Sequence, residues 1–231
     1  MSKLSTMYIV YFLIILIIPI YAQMKVKSAY KKYSKVHSTA GYTGADVARK
    51  ILEANGIFNV RVEETHGHLT DHYDPRTKVV RLSTDNYHGT SVAGIAVAAH
   101  EVGHALQDAE NYNFLRIRST LVPVASFGSN ISWVFVMIGI FATSTSMLGL
   151  GILLLAAGVL FQLVTLPVEF NASSRAMNQI ATLGLVDKQE EAQSKKVLNA
   201  AALTYVAAAA VAVLELVRLV LIFVGMSNND D

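Results

Sequence analysis

Long uncharged apolar blocks alternate with mixed, short-period segments along this chain. Met7 to Ala22 is apolar throughout, Leu121 to Ala142 and Met147 to Val168 follow with Thr143 to Ser146 as a short polar break, and Ala200 to Met226 comes last. A helix crossing a bilayer needs about 20 apolar residues. The pattern therefore predicts an N-terminal anchor over 1–22, a transmembrane hairpin over 121–168, and a C-terminal span with a solvated tail over 200–231. Tyr8, Tyr11 and Tyr21 suit a membrane interface.

The other two segments have a different rhythm. Residues 23–120 read as a small α+β region. Thr43 is a candidate N-cap with Asp46 in the first turn, and the helix it starts should stop at Gly56. Val60 to Glu63 alternates like a strand. Leu69 to Tyr73 and Lys78 to Ser83 flank a turn at Asp74-Pro75-Arg76-Thr77, which predicts a β-hairpin. Ser91 is a candidate N-cap for the helix after it. Residues 169–199 are polar and helical in pattern, with a stop at Gly184.

Composition supports a membrane protein. Of 231 residues, 53% are hydrophobic and 16% are charged, against about 25% charged in soluble domains. The net charge of +2 gives no footprint for nucleic acid. There are no cysteines, so a zinc site here must use His and carboxylate ligands. Lys25, Lys27, Lys31, Lys32 and Lys35 follow the first apolar block, with Lys3 before it. The positive-inside rule then places residues after about 23 in the cytoplasm. That charge order favours an uncleaved anchor over a signal peptide cut after Ala22. A two-span hairpin returns Glu169 to the same side, flanked by Arg116, Arg118 and Arg175.

The chemistry lies in His100-Glu101-Val102-Gly103-His104. On a helix, residues at i and i+4 share a face, so both imidazoles can reach one metal ion. Glu101 can then act as base on a water. The rest of this helix is almost wholly apolar, so its polar groups need partners. Catalytic zinc takes three protein ligands and a water. Glu169 is the candidate third ligand, just past the hairpin at what reads as a helix start. Position alone leaves the ligand and helix-cap readings equally open. Glu215 and Arg218, at i and i+3 in the last span, read first as a self-neutralising pair and second as a substrate or gating contact. His66, His68 and His72 form a polar cluster whose less favoured reading is a second metal site.

The H-E-x-x-H helix, the two-span hairpin and Glu169-Phe170-Asn171-Ala172 together resemble a group of membrane zinc peptidases. That group includes the CAAX prenyl protease and the bacterial heat-shock membrane protease. Its third ligand is the Glu of an E-F-x-A-D segment; here Ser173 stands in place of the Asp. The chain more closely resembles the neutral zinc metallopeptidase (YugP-like) membrane family, over nearly its whole length. The likeness runs through Thr43 to Ala48, Ala98 to Gln107 and Pro167 to Ser173. It implies His100, His104 and Glu169 as ligands of one Zn2+ per chain and Glu101 as general base.

The expected molecule is mainly α, with about four transmembrane helices and a small zincin-like α+β cytosolic region carrying the H-E-x-x-H helix. Its expected activity is that of an integral membrane zinc metalloendopeptidase of the plasma membrane, working at the cytoplasmic face on a peptide or protein substrate. His66, His68, His72, His88, Tyr112 and Arg175 could each donate to an oxyanion, although each alone reads first as a surface or packing residue. Two alternatives stand beside this. A non-catalytic zinc-binding scaffold or chaperone would have no need of Glu101. An intramembrane site-2-type protease draws a ligand from an Asp-Gly pair, which this chain lacks.

Overall fold

Capping residues set the first soluble helix. In the computed structural model, which describes residues 3–230 and the side chains of 7–228, Thr43 and Asp46 form a reciprocal capping box. Such a cap stabilises a helix by about 1 kcal/mol. The elements in order are α1 (Lys3–Tyr33), α2 (Gly44–Ala54), β1 (Arg61–Thr65), β2 (His72–Asp74), β3 (Val79–Ser83), α3 (Thr84–His88), α4 (Val92–Ala109), α5 (Asn113–Phe141), α6 (Thr145–Thr182) and α7 (Lys188–Asp230). α2 ends before Gly56, whose φ of 68° is the left-handed geometry glycine accepts without strain.

The chain divides into two compact units. One comprises residues 22–115 and 167–204. Its sheet has the order β1-β3-β2, with β1 parallel to β3 and β2 antiparallel to it. The predicted hairpin is therefore present as β2 and β3, and β3 is the central strand. α4 begins after Ser91, whose side chain accepts from the Gly94 N–H. Small residues dominate α4, and Ala96, Ala99 and Val102 are buried in a core with Ile51 of α2, Leu82 of β3, Ile180 of α6 and Leu198 of α7. At the far end of α4, Asp108 accepts from Tyr73 of β2 at 2.6 Å and from Lys78. That contact ties the helix to the hairpin.

The other unit comprises residues 1–21, 116–166 and 205–231. Gly139 and Gly151 allow close contact between α5 and α6: a Cβ at Gly139 would lie 2.5 Å from the Leu148 nitrogen. Small residues at such contacts are how membrane helices approach one another. Arg218 Nε donates to Glu215 at 3.1 Å, and the Tyr11 hydroxyl donates to the same carboxylate. Leu153, Leu221 and Phe127 are among many exposed apolar side chains. Four helices, Met7–Tyr33, Asn113–Phe141, Thr145–Thr182 and Lys188–Asn228, are long and apolar enough to cross a membrane. The architecture is that of a mostly helical, multi-pass membrane protein with one small sheet.

Two expectations are corrected. Glu169 does not start a helix, because α6 runs unbroken from Thr145 through Pro167 to Thr182. Proline lacks an N–H, but long apolar helices tolerate it where neighbouring groups take up the freed carbonyl. The segment up to Asn199 and the last apolar stretch are fused into α7, since the alanine run from Ala200 favours helix and contains no breaker. The end of that stretch is helical to Asp230, with Ser227 and Asn228 exposed as a solvated tail requires. Asp231 and residues 1–2 of the anchor lie outside the described residues.

Candidate metal centre

α4 brings His100, Glu101 and His104 to the edge of a buried core. The imidazoles share one face, with ring centroids 4.8 Å apart and planes at 84°. α6 supplies the third group. Glu169 is 2% exposed, with Oε2 at 3.2 Å from His100 Nε2 and 3.6 Å from His104 Nε2. One ligand atom from each residue lies within 4.8 Å of the others, the one such cluster found among the described residues. Tetrahedral zinc with bonds of about 2.0–2.2 Å holds its ligand atoms roughly 3.3 Å apart. A buried carboxylate facing two Nε2 atoms at this spacing suits a divalent cation.

Gly103 makes the approach of the two helices possible. A Cβ there would lie 2.5 Å from the backbone oxygen of Ala172. Backbone cannot swing aside as a flexible side chain can. Gly103 therefore lets α4 seat against the stretch of α6 that carries Glu169.

The outward ring nitrogens are held as well, as metal-binding histidines commonly are. His100 Nδ1 lies 3.1 Å from Ser173 Oγ, and His104 Nδ1 lies 3.0 Å from Gln107 Oε1. Gln107 is fully buried and donates to the Val168 carbonyl at 2.8 Å and to Asn171 Oδ1 at 2.9 Å. Arg175 donates from Nε to the same Asn171 oxygen at 2.7 Å, and from both terminal nitrogens to Glu110 at 2.6 and 2.8 Å. The Arg175 guanidinium holds the Glu110 carboxyl below its ordinary range.

Glu101 sits one residue from the first imidazole. Burial pushes its carboxyl up to about 7; the nearby Glu169 and Asp71 carboxylates add to the rise, while His100 and His72 oppose it. A base poised near neutrality suits proton transfer. Asp71 is held by the Ser83 backbone N–H at 2.8 Å and by Asn86 Nδ2 at 3.0 Å, and Asn86 accepts from Tyr30 at 2.7 Å.

The remaining donor candidates separate. Arg175 is engaged by Glu110 and Asn171, and His88 lies 3.2 Å from Glu64. His68 lies 3.7 Å from Asp85. His72 turns Nδ1 to the Thr70 carbonyl at 2.8 Å. His66, His68 and His72 form no metal-binding trio among the described residues. Tyr112 stacks near Phe114, with ring centroids 5.8 Å apart. Of these groups, His72 on β2 is one that acts electrostatically on Glu101. Sequence reasoning missed Gln107 and Asn171 as partners of the site. Gln107 is three residues past His104, so helical spacing was the available signal for it; Asn171 is two past Glu169, a spacing that shares no face, and only its i,i+4 relation to Arg175 could have pointed to it.

Comparisons with known proteins cover most of the chain. The sequence profile of a family described as "Putative neutral zinc metallopeptidase" matches residues 8–224. A relative in Bacillus subtilis (strain 168), named "Putative membrane protease YugP", is 52% identical over 210 residues, covering 90% of this chain and 93% of the relative. No solved structure matches.

Proposed function

Because this chain belongs to the neutral zinc metallopeptidase family, we propose that it is a membrane-bound zinc endopeptidase with His100, His104 and Glu169 as metal ligands and Glu101 as general base. The observation that carries this is the meeting of a buried Glu169 with two imidazoles of an H-E-x-x-H helix. The donor set fits zinc: two neutral imidazoles and a carboxylate, all borderline or hard ligands, with no thiolate. Bound zinc supplies Lewis acidity, which lowers the pKa of a water and polarises a carbonyl. The chain does the rest. Glu101 takes a proton from the attacking water and delivers it to the leaving amine. Ser173 and Gln107 orient the imidazoles.

Substrate would lie along β2. This strand is an edge of the sheet, so its outer N–H and C=O groups can pair with an extended peptide. His72 on that strand is close enough to Glu101 to influence its charge. A peptide paired there would bring a scissile carbonyl towards the general base, which supports a zincin-like arrangement of this unit. The lysines at 25–35 support a cytoplasmic active site, and the partners are the lipid bilayer and a peptide or protein substrate.

Purified protein should contain about one zinc per chain. Glu101→Gln should keep that zinc and lower cleavage of an unfolded protein by about 10²–10⁴-fold. Cleavage at the wild-type rate by Glu101→Gln would refute the assignment of the base.

A further inference from the structure

The hydrogen bonds behind His104 have fixed donors and acceptors. At the inner end, the Val168 carbonyl can only accept, so the Gln107 atom 2.8 Å away is its amide nitrogen. At the outer end, Arg175 can only donate, so the Asn171 atom 2.7 Å from its Nε is the carbonyl oxygen. That oxygen also accepts from Gln107 Nε2 at 2.9 Å. Both Gln107 donors are then used, and its Oε1 is left to accept from His104 Nδ1 at 3.0 Å. His104 must carry a proton on Nδ1, so that in the neutral ring the lone pair is on Nε2, the nitrogen 3.6 Å from Glu169. His100 has no such constraint, because the Ser173 hydroxyl behind it can donate or accept.

We propose that Gln107, Asn171 and Arg175, anchored on Glu110, are positioning residues that lock His104 in its metal-binding tautomer and orientation, leaving His100 as the adaptable ligand. The proposal rests on the zinc reading of the site and adds which of the two histidines is preset. Every member of the chain has its partner. Gln107 is fully buried, so a change there leaves polar groups unpaired. The outer anchor is a bidentate ion pair, the strongest kind of polar fixture. Loss of groups that orient metal-binding histidines typically costs about 10–100-fold in metal affinity.

The test is zinc affinity of the purified full-length protein in detergent, measured by chelator competition, beside the melting temperature of the metal-free form. Gln107→Leu should raise the zinc Kd by about 10–100-fold. Gln107→Glu keeps an acceptor for His104 Nδ1 and should recover part of that loss. Asn171→Asp keeps the accepting oxygen and should bind zinc close to wild type, whereas Asn171→Leu should not. Arg175→Gln should show a smaller loss than Gln107→Leu, because it acts two links away. A purely structural role would lower the melting temperature of each variant without this graded pattern. If wild type binds zinc tightly and Asn171→Leu and Arg175→Gln bind equally tightly, the positioning proposal fails while the zinc reading stands. If wild type does not bind zinc, both fail.

Discussion

Glu101 and Glu169 both lie near His100, yet their surroundings differ. Glu169 faces two Nε2 atoms at 3.2 and 3.6 Å and is placed to share a cation with them. Glu169→Ala should raise the zinc Kd by more than about 100-fold, since it removes a ligand rather than a support; chelator competition checks it, and unchanged affinity would remove Glu169 from the centre. Glu101, pushed by burial from 4.5 to about 7, binds a proton in the folded metal-free chain over a pH range where the unfolded chain has lost it. Stability falls with pH wherever the folded state holds more protons. The metal-free wild type should therefore lose stability relative to Glu101→Gln as pH rises from about 4.5 to about 7. Melting temperatures of chelator-treated protein across that range check the sign.

Helices and their contacts set the spacing between these residues. Gly103 marks a close approach of α4 to α6, with the Ala172 carbonyl oxygen 2.5 Å from where a Cβ would stand. Gly103→Ala should destabilise the protein by about 1–3 kcal/mol, as overpacking does, and should weaken zinc binding by parting the helices that carry the ligands. A Gly103→Ala protein with wild-type melting and affinity would show that the helices can yield there. Element existence was legible from the sequence where local chemistry decides it. Thr43, Ser91 and Gly56 mark helix ends through their own side chains or lack of one, and the Asp74 to Thr77 turn marks the hairpin. Helix continuity was not legible. Pro167 reads as a boundary because proline lacks an N–H, but packing keeps α6 intact across it. The parallel pairing of β1 with β3 has no local signal either, since register between distant strands is set by the tertiary fold. Glu169 was a candidate from its place after the hairpin and was singled out by the family resemblance, whereas the Gln107–Asn171–Arg175 chain needs the packing of α4 on α6 to exist at all.

At the scale of the molecule, the lysines at 25–35 predict that the His100–His104–Glu169 cluster faces the cytoplasm. The absence of cysteine makes single-cysteine labelling clean. Asn59 and Ser146 are both exposed, one between α2 and β1 and one in the first turn of α6. In intact cells, an impermeant maleimide should label Ser146→Cys and spare Asn59→Cys until the cells are opened. The reverse pattern would place the centre outside. The unit that holds the centre is built from two stretches, 22–115 and 167–204, joined by the hairpin helices. Buried Glu190 of α7 fastens them, accepting from the Thr39 backbone N–H at 2.6 Å and from Ser38 at 3.1 Å. A ribosome delivers these stretches in order. When His104 has emerged, the nascent chain holds two imidazoles and a base but no carboxylate to complete the set. Glu169 arrives 65 residues later, after the sequence of both hairpin spans, and Glu190 later still. A centre made of His100, His104 and Glu169 thus cannot close until the sequence of both hairpin spans has been synthesised.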